Sequence, residues 1–321
     1  MNLITLEAFY VIVGIVLLLV AGRIAADAAH PKRWGSALFW ALLAVTFLFG
    51  RAIPPVVTGY LVLAMVVLAA AKQVGRSSGA PGSSPAERTA HEERLRHRLL
   101  WPALLIPATA VAGTLLLARV HFGSVRLIEP SQAALISLSL GALFALGLGL
   151  WLTKAPVGTP LAEGSRLLQT IGWALILPQL LAALGGIFAQ AGVGEVIAGL
   201  LAAALPMHAA FVAVLAYCGT MALFTMIMGN AFAAFAVATG GIGLPFIVQR
   251  HGGNPAIMAA IGMLSGYCGT LLTPMAANFN IVPTLLLELK DRYAVIKAQA
   301  PVAVVIFIAN LLLMYFCVYR F

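Results

Sequence analysis

Ser265-Gly-Tyr-Cys-Gly-Thr-Leu-Leu-Thr-Pro-Met-Ala-Ala-Asn-Phe-Asn280 is the stretch on which the reading of this sequence turns. It lies in a chain that is 62% hydrophobic, yet it mixes Gly, Pro, Thr and Asn where a plain membrane helix would carry hydrocarbon. Polar groups left unpaired in lipid are costly, so such a segment survives only where it lines a protein-enclosed cavity or a ligand site. The stretch therefore predicts a broken helix and, with it, a membrane-embedded binding site for something transported.

The composition around it fits. With 321 residues, only 9% of them charged, and a mean hydropathy of +1.02, the chain is too apolar for a soluble domain. Several runs of about 20 apolar residues are each long enough to span a bilayer. The formal charge of +9 is carried by basic residues in short loops, where it sets orientation rather than binding nucleic acid. Cys218, Cys268 and Cys317 lie in apolar segments without CxxC spacing, which argues against disulfides or structural zinc. The run Leu3 to Ala21 lacks a basic region ahead of it and is too long for a signal-peptide core, so it reads as an uncleaved first span.

Spans are expected at about 3–22, 35–50, 54–71, 99–118, 131–152, 167–187 and 299–319. Arg23, Lys32 and Arg33 follow the first span, and Lys72, Arg76, Arg88, Arg94, Arg96 and Arg98 follow the third. If these basic loops are cytoplasmic, the N-terminus is outside. Arg119 and Arg126 count against that orientation. Three parts are expected: a three-span part (1–72), a polar linker (73–98) and a membrane transport part with broken helices (99–321). Gly75 to Pro85 is flexible by composition, and the charged run Glu87 to Arg98 forms a short interfacial helix in this reading. His91-Glu92 with His97 is not a zinc-protease motif, because the two histidines are six residues apart and miss a common helix face. Ser137, Gly141, Ala145 and Gly149 form a small-residue stripe for close helix packing.

Between Leu167 and Gln249 the only formally charged residue is Glu195, while Gly, Pro and Asn recur. The pattern favours helix, break, short helix, as in discontinuous and re-entrant transporter elements, over simple through-spans. Tyr217-Cys-Gly-Thr220 recurs as Tyr267-Cys-Gly-Thr270, each followed by Asn in a small-residue context. Such duplications commonly place transporter sites where two repeats meet at mid-membrane.

Candidate binding residues follow from the two copies. In the second, Ser265, Gly269, Thr270, Thr273, Asn278 and Asn280 surround a turn expected to expose the N–H groups of a half-helix, an anion-attracting end. Thr220, Thr225 and Asn230 of the first copy are candidates for the facing half. Hydroxyl and carboxamide groups beside such an end suit a carboxylate paired with a neutral amide or hydroxyl. The alternative is that these residues bond to each other or to a neighbouring helix. Glu195 and His208 are candidates for ion coupling, although Glu195 could equally sit at the interface in the first turn of its own helix. Neither Na+ nor H+ is selected by the sequence, and no metal or other cofactor is expected. Gly252-Gly-Asn-Pro255 reads as a turn in which Asn254 caps the next helix.

No phosphate-binding loop, HExxH or GxSxG motif is present, which leaves an enzyme reading without support. At Met228 to Phe235, Gly252 to Thr270 and Thr273 to Pro283, the chain resembles the bacterial membrane family called domain of unknown function 979. That resemblance implies one subunit of a 5-oxoproline (pyroglutamate) transporter, acting with a second, smaller membrane subunit. The expectation is thus an all-α, polytopic helical membrane protein with about eight to ten membrane segments, some discontinuous or re-entrant, in the manner of a secondary transporter. It would sit in the bacterial inner membrane and take up 5-oxoproline or a related small carboxylate by ion-coupled alternating access. The competing reading is a non-catalytic scaffold subunit whose partner holds the transport site.

Overall fold

The computed structural model describes residues 2–77, 85–122, 125–287 and 289–320. Most of the Gly/Ser/Pro linker lies outside them. The protein is 80% helical with almost no strand. Among the described residues, six helices are long and apolar enough to cross a membrane: Leu6–Ala26, Thr89–Leu116, Pro130–Thr153, Ala210–Met228, Ala231–Arg250 and Ala294–Cys317. Four further apolar helices are shorter. The chain is an all-α, multi-pass membrane protein, and its internal contacts divide it into two compact units, Met1–Gly172 and Trp173–Phe321.

The first unit holds α1 (Leu6–Ala26), α2 (Arg33–Phe49), α3 (Pro55–Ala70), α4 (Pro85–Leu95), α5 (Leu100–Leu116), α6 (Ala133–Thr153) and α7 (Thr159–Ile171). Gly14 lets α1 approach α2 closely, since a Cβ there would lie 2.5 Å from Leu48 Cγ. The expected small stripe packs α6 on α5. Ser137, Gly141 and Ala145 are buried, and a Cβ on Gly141 would come within 3.0 Å of the Ile106 carbonyl, whereas Gly149 meets nothing. At one end of this unit the loops after α1 and α3 interlock. Buried His30 contacts the Gly75 carbonyl through Nε2 (3.3 Å), Lys32 Nζ donates to the Lys72 carbonyl, and the Gly75 N–H donates to Ser36 Oγ (3.0 Å). The basic residues of the two loops thus share one end. At the other end, Arg51 lies 3.9 Å from Glu7. There too, β1 (Asn2–Ile4) pairs in parallel with β3 (Val125–Ile128), and β2 (His121–Phe122) pairs antiparallel with β3. The sequence reading did not foresee this small sheet.

The expected span at 167–187 does not form. Gly172, at φ +58°, ends α7, and α8 (Leu177–Gln190) begins after a short 3-10 turn. The physical reason is polarity: α7 carries Glu163, Arg166, Gln169 and Thr170, and Arg166 Nε donates to Glu163 Oε2 at 2.8 Å.

The second unit continues with α9 (Val193–Ala204), α10 (Ala210–Met228), α11 (Ala231–Ala238), a π-helical segment Thr239–Arg250, α12 (Pro255–Leu271), a π turn Ala277–Ile281, α13 (Val282–Leu286) and α14 (Ala294–Cys317). Its core gathers Met207, Tyr217, Met221, Ile242, Met258 and Met314. Gly185 abuts Ala233, Gly194 abuts Val237 and Gly241, and His251 Nε2 reaches the Met207 carbonyl at 3.1 Å. Contacts advancing in step mean that α8 and α9 follow α11 and the π segment in one direction. They are separate helices on either side of Gly192 (φ +69°) that run in the same direction.

Candidate functional site

Two helix breaks meet in the second unit. Helices α10 and α12 run parallel, held close because α12 presents glycines to α10. A side chain on Gly262 would collide with Tyr217, one on Gly266 would lie 2.9 Å from Met221 Cε, and one on Gly269 would collide with the Ala222 carbonyl. Both helices therefore end at the same level. Gly229 closes α10 in the left-handed conformation (φ +69°), which Gly adopts without the Cβ penalty, and its N–H satisfies the Thr225 carbonyl at 2.7 Å. Asn230 then opens α11, its Oδ1 accepting from the Phe232 N–H at 2.8 Å, as an N-cap should. The break after α12 spans Leu272–Ala276, where Pro274 cannot continue the helix.

The breaks are bonded to each other. Thr273 Oγ1 donates to the Met226 carbonyl in the last turn of α10 (2.7 Å) and accepts from the Met275 N–H (3.2 Å). A Cβ on Gly229 would stand 2.5 Å from the Met275 carbonyl oxygen, so the two backbones touch directly. Asn280 reaches back from the π turn, its Nδ2 donating to the carbonyls of Thr270 (2.8 Å) and Thr273 (2.7 Å). Thr284 Oγ1 in turn donates to the Asn280 carbonyl at 2.6 Å. Among the described residues, Asn280 Oδ1 and Thr225 Oγ1 are buried with no partner.

Beside this junction lies a cavity of about 450 Å³, lined by Gly229, Asn230, Ala231, Phe232, Tyr267, Thr270 and Phe279. Its floor is the first turn of α11, whose leading N–H groups lack intrahelical acceptors. Its walls are aromatic, with Phe232 and Tyr267 edge to face at 6.4 Å. Among the described residues, no charged side chain lines it.

Of the sequence-derived candidates, Asn230 and Thr270 line the cavity. Thr273 and Asn280 hold the breaks together behind it. Ser265 donates to the Ile261 carbonyl within α12 (2.9 Å) and Gly269 serves helix contact, so both are packing residues. Thr220 is buried in α10, about two turns before the break, and does not line the cavity. The Asn278 side chain lies outside the described ones. Glu195 is exposed in the first turn of α9, where a carboxylate suits the helix dipole, and His208 is exposed in the turn before α10. Neither borders the cavity. The half-helix N-terminus at the cavity is that of α11 rather than one following Pro274, because only a short π turn and the five-residue α13 follow the second break. The cavity lies at the C-terminal end of α10. Arg250, His251 and Arg320 cluster at the far end of α10, which runs 19 residues, or about 28 Å, before it breaks, close to the full hydrocarbon thickness. The sequence reading missed the aromatic walls Phe232 and Phe279, since single aromatics in an apolar chain give no signal of their own.

A family comparison bears on this arrangement. The family described as "Protein of unknown function (DUF979)" matches residues 7–319, nearly the entire chain. The protein belongs to the DUF979 family. No curated protein and no solved structure matches it. Both breaks, the capping Asn230 and the Thr273–Asn280 junction of this DUF979 chain fall inside the matched region.

Proposed function

We propose that this protein is a permease subunit of the bacterial inner membrane, taking up 5-oxoproline or a related small carboxylate by alternating access. One observation carries the reading: a 450 Å³ cavity at the N-terminus of α11, within the range of small-molecule sites and walled by two helix breaks. The α11 terminus and its leading N–H groups favour an anion without a counter-charge. The Asn230 carboxamide offers its N–H donors, and the Thr270 hydroxyl, which donates to the Tyr267 carbonyl at 2.6 Å, offers an acceptor for a lactam, while Phe232, Tyr267 and Phe279 supply apolar walls for a small ring. Movement of one break against the other would carry the cavity from one side to the other. A second, smaller membrane subunit completes the transporter in this proposal, and no chemical conversion of the substrate is involved.

The test is uptake of labelled 5-oxoproline by cells expressing this chain alone, with the second subunit, and with the second subunit plus Thr270→Ala, membrane levels being checked each time. Uptake that is lost in a normally inserted Thr270→Ala supports the reading. Unchanged uptake in that variant moves the site elsewhere, to the partner that a scaffold role would require.

A further inference from the structure

The helix ends beside the cavity have two polarities, and the second one is unused by an anionic substrate. The C-termini of α10 and α12 converge at the junction, each a partial negative charge favourable to a cation. The carbonyls of Thr270 and Thr273 both point at one atom, Asn280 Nδ2, at 2.8 and 2.7 Å. The other end of that carboxamide, Oδ1, is buried and unpartnered in a side chain only 1% exposed. A second orphan oxygen, Thr225 Oγ1, faces the same helix crossing. It lies 3.3 Å from where a Cβ on Gly266 would stand, one turn before Thr270, on a residue with no exposure at all. Two buried side-chain oxygens without a partner, one on the carboxamide that holds both carbonyls and one a helical turn away on the facing helix, are unusual at a single helix crossing.

We propose that this junction is a sodium site, with Asn280 Oδ1 and the Thr270 and Thr273 carbonyl oxygens as ligands and Thr225 Oγ1 as a further one. Rotating the Asn280 carboxamide about its last torsion exchanges Nδ2 and Oδ1. Without an ion that rotation sets three oxygens against one another, and with an ion it supplies three of its ligands. The amide donor thus occupies the junction when sodium is absent, and the side chain acts as a two-position element that the ion biases. All four oxygens are neutral and none takes up a proton near pH 7, so the site discriminates against proton coupling by its chemistry. Thr270 joins the two halves: the residue lines the cavity, and its carbonyl faces the ion. The role of the ion as the driving force for carboxylate uptake rests on the transport reading above, whereas the binding site itself does not.

The experiment is thermal unfolding of the full chain, purified in nanodiscs, in sodium, potassium and choline chloride at matched ionic strength. Sodium should raise the midpoint by about 2–4 °C over choline. Thr225→Val, which replaces an unpartnered hydroxyl by an isosteric methyl, should fold normally and lose that rise, and Asn280→Ala should lose it as well. Equal midpoints in sodium and choline for the wild-type chain overturn the site, as does a rise retained in Thr225→Val and Asn280→Ala alike. Uptake in proteoliposomes with the second subunit separates the two proposals. Uptake indifferent to sodium overturns the coupling role and leaves the permease standing. A sodium-dependent midpoint without any uptake supports the ion site and counts against the permease.

Discussion

Replacing Thr273 by Val is the sharpest probe of whether the two helix breaks form one element. The side chain is 4% exposed, and its hydroxyl donates to the Met226 carbonyl at 2.7 Å while accepting the Met275 N–H at 3.2 Å. Valine keeps the volume and removes both bonds. Side-chain hydrogen bonds between membrane helices average about 0.6 kcal/mol and reach about 1.7. Leaving the Met226 carbonyl orphaned in a buried place adds a desolvation cost of about 1–3 kcal/mol. The expected loss for Thr273→Val is therefore roughly 1.5–3 kcal/mol. Thr273→Ser keeps both bonds and forfeits one methyl, about 1 kcal/mol. The difference, about 0.5–2 kcal/mol, corresponds to about a 2- to 30-fold change in local opening. Hydrogen exchange followed by mass spectrometry reads it directly, over peptides covering 224–232 and 270–282. Faster exchange in both peptides for Val, and in neither beyond a small change for Ser, is the expected pattern. If Val accelerates only the second peptide, the breaks open independently and the reasoning fails.

Three further expectations come from contrasts within the molecule. Gly229 and Gly252 share positive φ (+69° and +70°), but only Gly229 faces a backbone, so Gly252→Ala should cost about 1–2 kcal/mol and spare uptake. Gly229→Ala should add a clash with Met275 and abolish uptake, and equal effects in thermal melts and transport would refute the close approach. Gly141→Val should destabilise the α5–α6 pair by about 1–3 kcal/mol, while Gly149→Ala, which meets nothing, should change stability by less than about 0.5 in denaturation of the purified chain. The Ser77 hydroxyl (2.5 Å), then the Ala29 N–H (3.0 Å), hold the Asp27 carboxyl below its ordinary range. A depressed folded value contributes stability above the unfolded pKa, lost as pH falls through the folded one. Ser77→Ala should raise the Asp27 pKa toward the usual carboxylate value by NMR titration, and an unmoved titration would refute the assignment.

The membrane class was legible because apolar runs and loop charge leave no soluble alternative, and the break near Pro274 was legible because Pro, Gly and Asn cannot sit idle in lipid. Asn254 was readable as a cap because Pro255 and a run of helix formers follow it, whereas Asn230, read as a binding residue, also caps α11. The division of labour inside the stretch was hidden. Asn280 reads as a ligand in sequence, yet its contacts are the carbonyls that the broken α12 leaves unpaired, a demand that exists only once the chain has folded back. Ser265 and Gly269 read as site residues by proximity, and helix geometry turned them onto α10. The false span at 167–187 came from weighing hydrophobicity over the polar residues of α7 and missing Gly172 as a stop.

The recurring Tyr-Cys-Gly-Thr shows most clearly how identical residues acquire different work. Most contacts between α10 and the α12 segment join positions 45 to 47 residues apart, as Tyr217 with Gly262 and Met226 with Thr273, whereas the two tetrapeptides are 50 apart. The second copy therefore sits about one helical turn nearer the break. Tyr217, fully buried, bonds Thr239 Oγ1 at 3.0 Å where the π-helical segment begins. Tyr267 reaches the cavity wall instead. Tyr217→Phe should cost about 0.5–1.5 kcal/mol by removing a buried bond, and should loosen exchange around 236–243 while leaving ligand affinity nearly intact. Tyr267→Ala should spare that exchange and weaken carboxylate binding, because a cavity wall is lost. An inverted result, affinity lost in Tyr217→Phe and fold loosened near Thr239 in Tyr267→Ala, would mean that the offset between the copies does not assign their roles.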